Sequence, residues 1–140
     1  MCYCSFMSNW NSKNRHKYLL QYHVILGCKY RKKLFLYKNI SNDIKRLSYI
    51  ICNKNNITIK YMETDKDHIH YMLELEPIIS ISKTIKLIKS FTTYHIWKKY
   101  YNYLKKKFWK ENTFWTDGYF VCTIGNASET TIKDYINNQG

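Results

Sequence analysis

Proline occurs once and glycine four times in 140 residues. So little of either excludes collagen-like and Pro/Gly-rich low-complexity chains. Acidic side chains are scarce too: ten Asp and Glu stand against 23 Lys and Arg, a formal net charge of +13. No apolar run approaches the ~18 residues that span a bilayer, and no secretory leader pattern opens the chain. A soluble, cytoplasmic protein without a membrane role is therefore expected. The five cysteines (Cys2, Cys4, Cys28, Cys52, Cys122) are odd in number and irregular in spacing, which argues against a disulfide framework. Cys2-Tyr3-Cys4 lacks the spacer of a zinc knuckle. All five read as reduced, mostly structural thiols.

What is present is a chain that is 45% apolar, enough for one packed domain over 1–140, with 1–17 as a loose N-terminal arm. The excess positive charge fits a polyanionic partner, nucleic acid first. The plainer alternative is solubility combined with a codon bias toward Lys, Asn, Ile and Tyr.

Tyr18 to Cys28 (YLLQYHVILGC) predicts a strand, and Lys29 to Lys33 (KYRKK) a basic exit from it. Ile40, Ile44, Leu47 and Ile51 recur at helical spacing, so ~40–53 is an amphipathic helix. Ile57 to Glu63 and Asp67 to Leu75 alternate as strands, and Pro77 closes the second. Ser80 begins a long helix whose apolar stripe is Ile81, Ile85, Ile88, Thr92 and Ile96. Lys83, Lys86, Ser90, Thr93 and Trp97 form a different stripe. Residues 98–113 carry interleaved lysines and aromatics and give no clear period. Phe114 to Ile124 predicts a strand broken at Asp117-Gly118, and Asn126 or Ser128 caps a final helix of ~11 residues. The first six elements give an α+β, ferredoxin-like (split βαβ) antiparallel sheet with helices on one face.

The stretch DHIHYMLE places His68, His70, Met72 and Glu74 on one side of a strand, and Ile69, Tyr71, Leu73 and Leu75 on the core side. Two imidazoles projecting together can be half a metal site, or an exposed pair of no consequence. In the last helix, Tyr135 and Gln139 lie four apart on one face. A phenol and an amide oxygen there could meet the imidazoles, or Tyr135 could simply pack and Gln139 be solvated.

Three segments, taken in order, resemble the single-tyrosine HUH transposases of bacterial insertion sequences and the related REP-associated tyrosine transposases. They are YHVILGCKYRKKLF (Tyr22 to Phe35), DHIHYMLELEP (Asp67 to Pro77) and FWTDGYFVCTIGNASETTIKDYINNQ (Phe114 to Gln139). The resemblance implies His68 and His70 as metal ligands, Gln139 as a third ligand and Tyr135 as the catalytic nucleophile on the C-terminal helix. It implies a divalent cofactor, Mg²⁺ or Mn²⁺. It also implies cleavage and rejoining of single-stranded DNA bearing hairpins, through a 5′-phosphotyrosine. A homodimer with composite active sites is implied as well. Asp67 could orient a histidine or cap the strand. Candidate DNA contacts are Lys29, Arg31, Lys83, Lys86, Ser90 and Thr93, with Tyr100, Tyr101, Tyr103, Phe108 and Trp109 as stacking candidates. Two competing readings share the topology: a domesticated HUH nuclease that processes chromosomal repeat hairpins, and a non-catalytic single-stranded nucleic-acid-binding module. A replication initiator or relaxase would share only the histidine pair.

Overall fold

The computed structural model describes residues 19–124. The N-terminal arm and the final helix, with Tyr135 and Gln139, lie outside the described residues. The element order is β1 (Leu20–Gly27), α1 (Lys38–Lys54), β2 (Thr58–Asp65), β3 (His68–Leu75), α2 (Ile81–Lys99), α3 (Tyr101–Lys107) and β4 (Phe120–Thr123). The strands form one antiparallel sheet in the order β2-β3-β1-β4. That order is the split βαβ arrangement expected from the element sequence.

The helices follow from their spacing. Along α1, Ile40, Ile44, Leu47, Ile51 and Cys52 are buried at three- and four-residue intervals, so one stripe faces the sheet. Along α2 the buried set is Thr84, Ile85, Ile88, Thr92, Ile96 and Trp97. The Ser80 side chain caps α2 by accepting from the Lys83 amide at 3.2 Å. Both stripes meet Val24, Leu26, Ile69, Tyr71 and Leu73 in one core. Burying each such aliphatic side chain is worth about 1.5–3 kcal/mol. A polar lock joins β3 to α1 within the core. Ser48 donates to the Ile44 carbonyl at 2.8 Å, so the buried Tyr71 hydroxyl must donate to Ser48 Oγ at 2.9 Å. This pins β3 to α1 in a single register.

One expectation is corrected. Phe114 to Ile124 is not a continuous strand: Trp115 makes an isolated bridge to Cys28, and the ladder resumes only at Phe120. Lys89 supplies the reason. Its ammonium donates to the carbonyls of Thr116 (2.8 Å), Asp117 (3.3 Å) and Gly118 (3.1 Å), which a strand would have offered to a neighbour. Residues 98–113 also resolve. The chain breaks at Tyr100, runs through α3, and buries Leu104 and Phe108. Trp97 Nε1 donates to the Thr113 carbonyl at 2.8 Å, and Trp115 Nε1 to Thr92 Oγ1 at 3.0 Å, fastening 113–115 onto α2. Cys28 and Cys52 are buried free thiols; burial pushes the Cys52 pKa up to about 12, so it is protonated and inert at neutral pH.

Candidate functional site

β3 alternates as its sequence requires. Ile69, Tyr71, Leu73 and Leu75 are fully buried in the core, while His68, His70, Met72 and Glu74 occupy the opposite face. The two imidazole rings lie near-parallel, with centroids 6.0 Å apart and planes 30° from each other. Glu63 and Asp65 of β2 stand beside His70 and His68 in register. Ile25 of β1, paired with both His70 and Phe120, lies on this same face and is fully buried.

His68 is only 5% exposed. Its Nδ1 lies 3.0 Å from Asp67 Oδ1, and Asp67 Oδ2 accepts from Arg31 Nε at 2.9 Å. Burial works against the charge on Asp67, but its bonds to His68 and Arg31 hold the carboxyl below the usual carboxylate range. Asp67 is therefore ionised at neutral pH and can only accept. Burial lowers the pKa of His70; repulsion from His68 adds to this, and Glu63 and Asp65 only partly offset it. His70 is thus the neutral imidazole at neutral pH, the form that binds metals.

Arg31 reaches Asp67 from an unusual turn. Tyr30 (φ 60°) and Arg31 (φ 55°) are consecutive non-glycine residues in the left-handed region. That conformation costs roughly 1–2 kcal/mol per residue. The turn is held by the Tyr30 hydroxyl, which donates to Glu111 at 3.2 Å, and by the Lys29 pairing with Asp117 at 3.4 Å.

The residues fit a divalent cation in part. Two imidazoles on one face, one backed by a carboxylate, are borderline-soft donors that suit a divalent transition metal, and of the two expected ions favour Mn²⁺ over Mg²⁺. No cluster of three or more His, Cys, Asp and Glu that could hold a metal occurs among the described residues, and Asp67 is turned toward Nδ1 and Arg31. The described residues thus offer two candidate imidazole donors, His68 and His70.

A second feature lies on the helix-bearing side. α2 and the segment before β4 enclose an open groove of about 1210 Å³. Lys83, Lys86, Ser90 and Thr93, four of the six expected DNA contacts, all line it. Lys98, the start of the Lys98 to Lys110 segment also considered for DNA, lines it too, as do Lys89, Tyr94 and Tyr119, which were not singled out in the sequence. The Lys86–Lys89 spacing of three was the available signal. Lys83 and Lys86 are exposed. Ser90 donates its hydroxyl to the Lys86 carbonyl at 3.0 Å. The remaining two expected contacts, Lys29 and Arg31, lie at the left-handed turn and are engaged by Asp117 and Asp67. Of the stacking candidates, Phe108 is core, and Tyr100 and Tyr103 pack against the core. Tyr101 and Trp109 are exposed. No helix among the described residues is long and apolar enough to cross a membrane.

Comparison with known proteins places these features in context. The sequence model of the family described as "Transposase IS200 like" matches residues 16–139. The transposase for insertion sequence element IS200 of Salmonella typhimurium is 30% identical over 132 residues, covering 94% of this chain and 79% of the relative. The Salmonella typhi counterpart matches to the same extent. A crystal structure of a candidate transposase from Deinococcus radiodurans superposes with a TM-score of 0.80 at 25% identity, over 93% of this chain and 98% of the other. A REP-associated tyrosine transposase, solved bound to a REP hairpin, shares the fold at TM-score 0.57 and 15% identity, over 91% of this chain and 67% of the other.

Proposed function

The chain belongs to the IS200-like transposase family, and from that premise we propose that it cuts and rejoins single-stranded DNA at insertion-sequence ends through Tyr135. Tyr135 gives up its phenolic proton to solvent and its oxygen attacks the scissile phosphorus. The bond to the 3′ oxygen breaks, that oxygen takes up a proton, and a 5′-phosphotyrosine and a free 3′-hydroxyl result. The tyrosyl ester keeps the energy of the broken bond, so rejoining needs no ATP.

His68 and His70, with Gln139, are proposed to hold one Mg²⁺ or Mn²⁺. When bound, the ion neutralises charge on the phosphate oxygens. The observation that carries this reading is the pair of adjacent imidazoles on the face away from the helices. His70 contributes by staying neutral, and His68 by being fixed from behind.

The α2 groove is the proposed seat of hairpin DNA, with Lys83 and Lys86 on phosphates and exposed aromatics beside them. The hairpin-bound relative supports this choice of substrate. A homodimer is proposed in which the Tyr135 helix of one subunit completes the histidine site of the other. Mixing His68→Ala with Tyr135→Phe subunits then restores some cleavage; no restoration indicates sites built within one chain.

The test of the function is incubation with single-stranded element ends and Mn²⁺ or Mg²⁺. A covalent protein–DNA band should form and map to Tyr135 by mass spectrometry. Tyr135→Phe should bind DNA but form no adduct. An adduct formed by Tyr135→Phe overturns the nucleophile assignment.

A further inference from the structure

We propose that Arg31 and Asp67 are positioning residues that lock His68 in one tautomer, with the proton on Nδ1 and the Nε2 lone pair presented outward. The inference rests on the reading of His68 as a metal ligand, and deepens it. The argument uses donor counts. An Arg guanidinium carries only donors. It therefore claims one carboxylate oxygen of Asp67, at 2.9 Å. The other oxygen, 3.0 Å from His68 Nδ1, is an acceptor and requires a proton on that nitrogen. Nε2 is left as the nitrogen free to ligate. The same two bonds turn the Asp67 carboxylate toward Arg31 and Nδ1, one to each oxygen.

Arg31 is placed by two consecutive left-handed residues, Tyr30 and Arg31, in a turn braced by Glu111 and Asp117. A turn of that conformation is held in place by its partners, not by local preference. The turn brings the guanidinium to a carboxylate that is itself adjacent in sequence to the histidine. Arg31 thus serves the site from behind, where sequence reading had assigned it to DNA.

The logic makes an unusual prediction for Asp67→Asn. Arg31 would still demand an acceptor, so the amide oxygen must face Arg31 and the amide NH₂ must face His68. Nδ1 would then have to accept, and the proton would move to Nε2, blocking the ligating nitrogen. A neutral isostere that reverses a histidine tautomer is a known route to loss of function. Removing Arg31 as well frees the amide to turn its oxygen back toward His68.

The experiment is ¹⁵N-correlated NMR of the histidine rings in metal-free protein, at a pH where they are neutral, alongside Mn²⁺ titration. Wild type should show His68 protonated on Nδ1. Asp67→Asn should show it on Nε2 and bind Mn²⁺ about 10–100-fold more weakly. Arg31→Ala/Asp67→Asn should recover the Nδ1 tautomer and bind Mn²⁺ more tightly than Asp67→Asn. Asp67→Asn with the wild-type tautomer overturns the proposal, as does a double variant whose tautomer matches that of Asp67→Asn. The expected tautomers in all three proteins, with no Mn²⁺ binding even by wild type, support the positioning chain and overturn the ligand reading instead.

Discussion

Replacing both Lys83 and Lys86 with alanine should change how DNA binding responds to salt, by an amount the groove allows one to work out. Four lysines line it, but they are not equivalent. Lys89 spends its ammonium on three backbone carbonyls, and burial lowers its pKa despite the nearby Asp117. Lys98 sits over the Tyr94 ring at 5.4 Å. Lys83 and Lys86 are exposed, as is Lys98, and the first two lie three apart on α2. Each phosphate contact contributes a slope of about 0.7 (single strand) to 0.9 (duplex) in log affinity against log salt, so losing two should flatten the slope by about 1.4–1.8. Over a fourfold rise in salt, wild type should then lose about 7–12-fold more affinity than the double variant. Fluorescence anisotropy with a labelled hairpin across a salt series measures this, with Lys54→Ala, at the end of α1, as the control. Parallel slopes for wild type and the double variant would refute the groove as the phosphate-binding surface.

Two predictions concern what holds the scaffold. Asp43 accepts from the Tyr100 hydroxyl at 2.5 Å and pairs with Lys99 at 2.9 Å and Arg46 at 3.3 Å. Burial opposes its charge, but these partners lower its pKa overall. A depressed carboxyl pKa stabilises the fold above the unfolded value of ~3.9 and is lost as pH falls through the folded value. Asp43→Asn should therefore cost about 1 kcal/mol at neutral pH and nearly nothing in strong acid; urea titrations giving the same loss at both would contradict this. Thr92→Val removes the acceptor for the buried Trp115 indole N–H and should cost about 1–3 kcal/mol. A cycle with Trp115→Phe should show coupling between the two sites, and simple additivity would count against the bond.

The parts of the fold legible in the sequence were those where a periodic apolar pattern meets a single buried face. Ile40, Ile44, Leu47 and Ile51 marked α1, and the alternation of Ile69, Tyr71 and Leu73 put His68 and His70 on the other side of β3. Residues 98–119 were not legible, because their course is set by tertiary bonds. The Trp97, Trp115 and Lys89 side chains each capture groups from a distant segment, and no local pattern reports that. The same applies at the site. Asp67 beside His68 was visible, but Arg31 at its back depends on a left-handed turn of non-glycine residues, which propensity argues against. The roles of Tyr135 and Gln139 rest on the family resemblance.

The most direct measurement is Mn²⁺ binding followed by paramagnetic resonance, in wild type, His68→Ala and His70→Ala. The account predicts one tightly held ion per wild-type chain, with hyperfine coupling to imidazole nitrogen, and loss of affinity and of part of that coupling in each variant. Variants that bind Mn²⁺ as tightly as wild type, with unchanged nitrogen coupling, would contradict it.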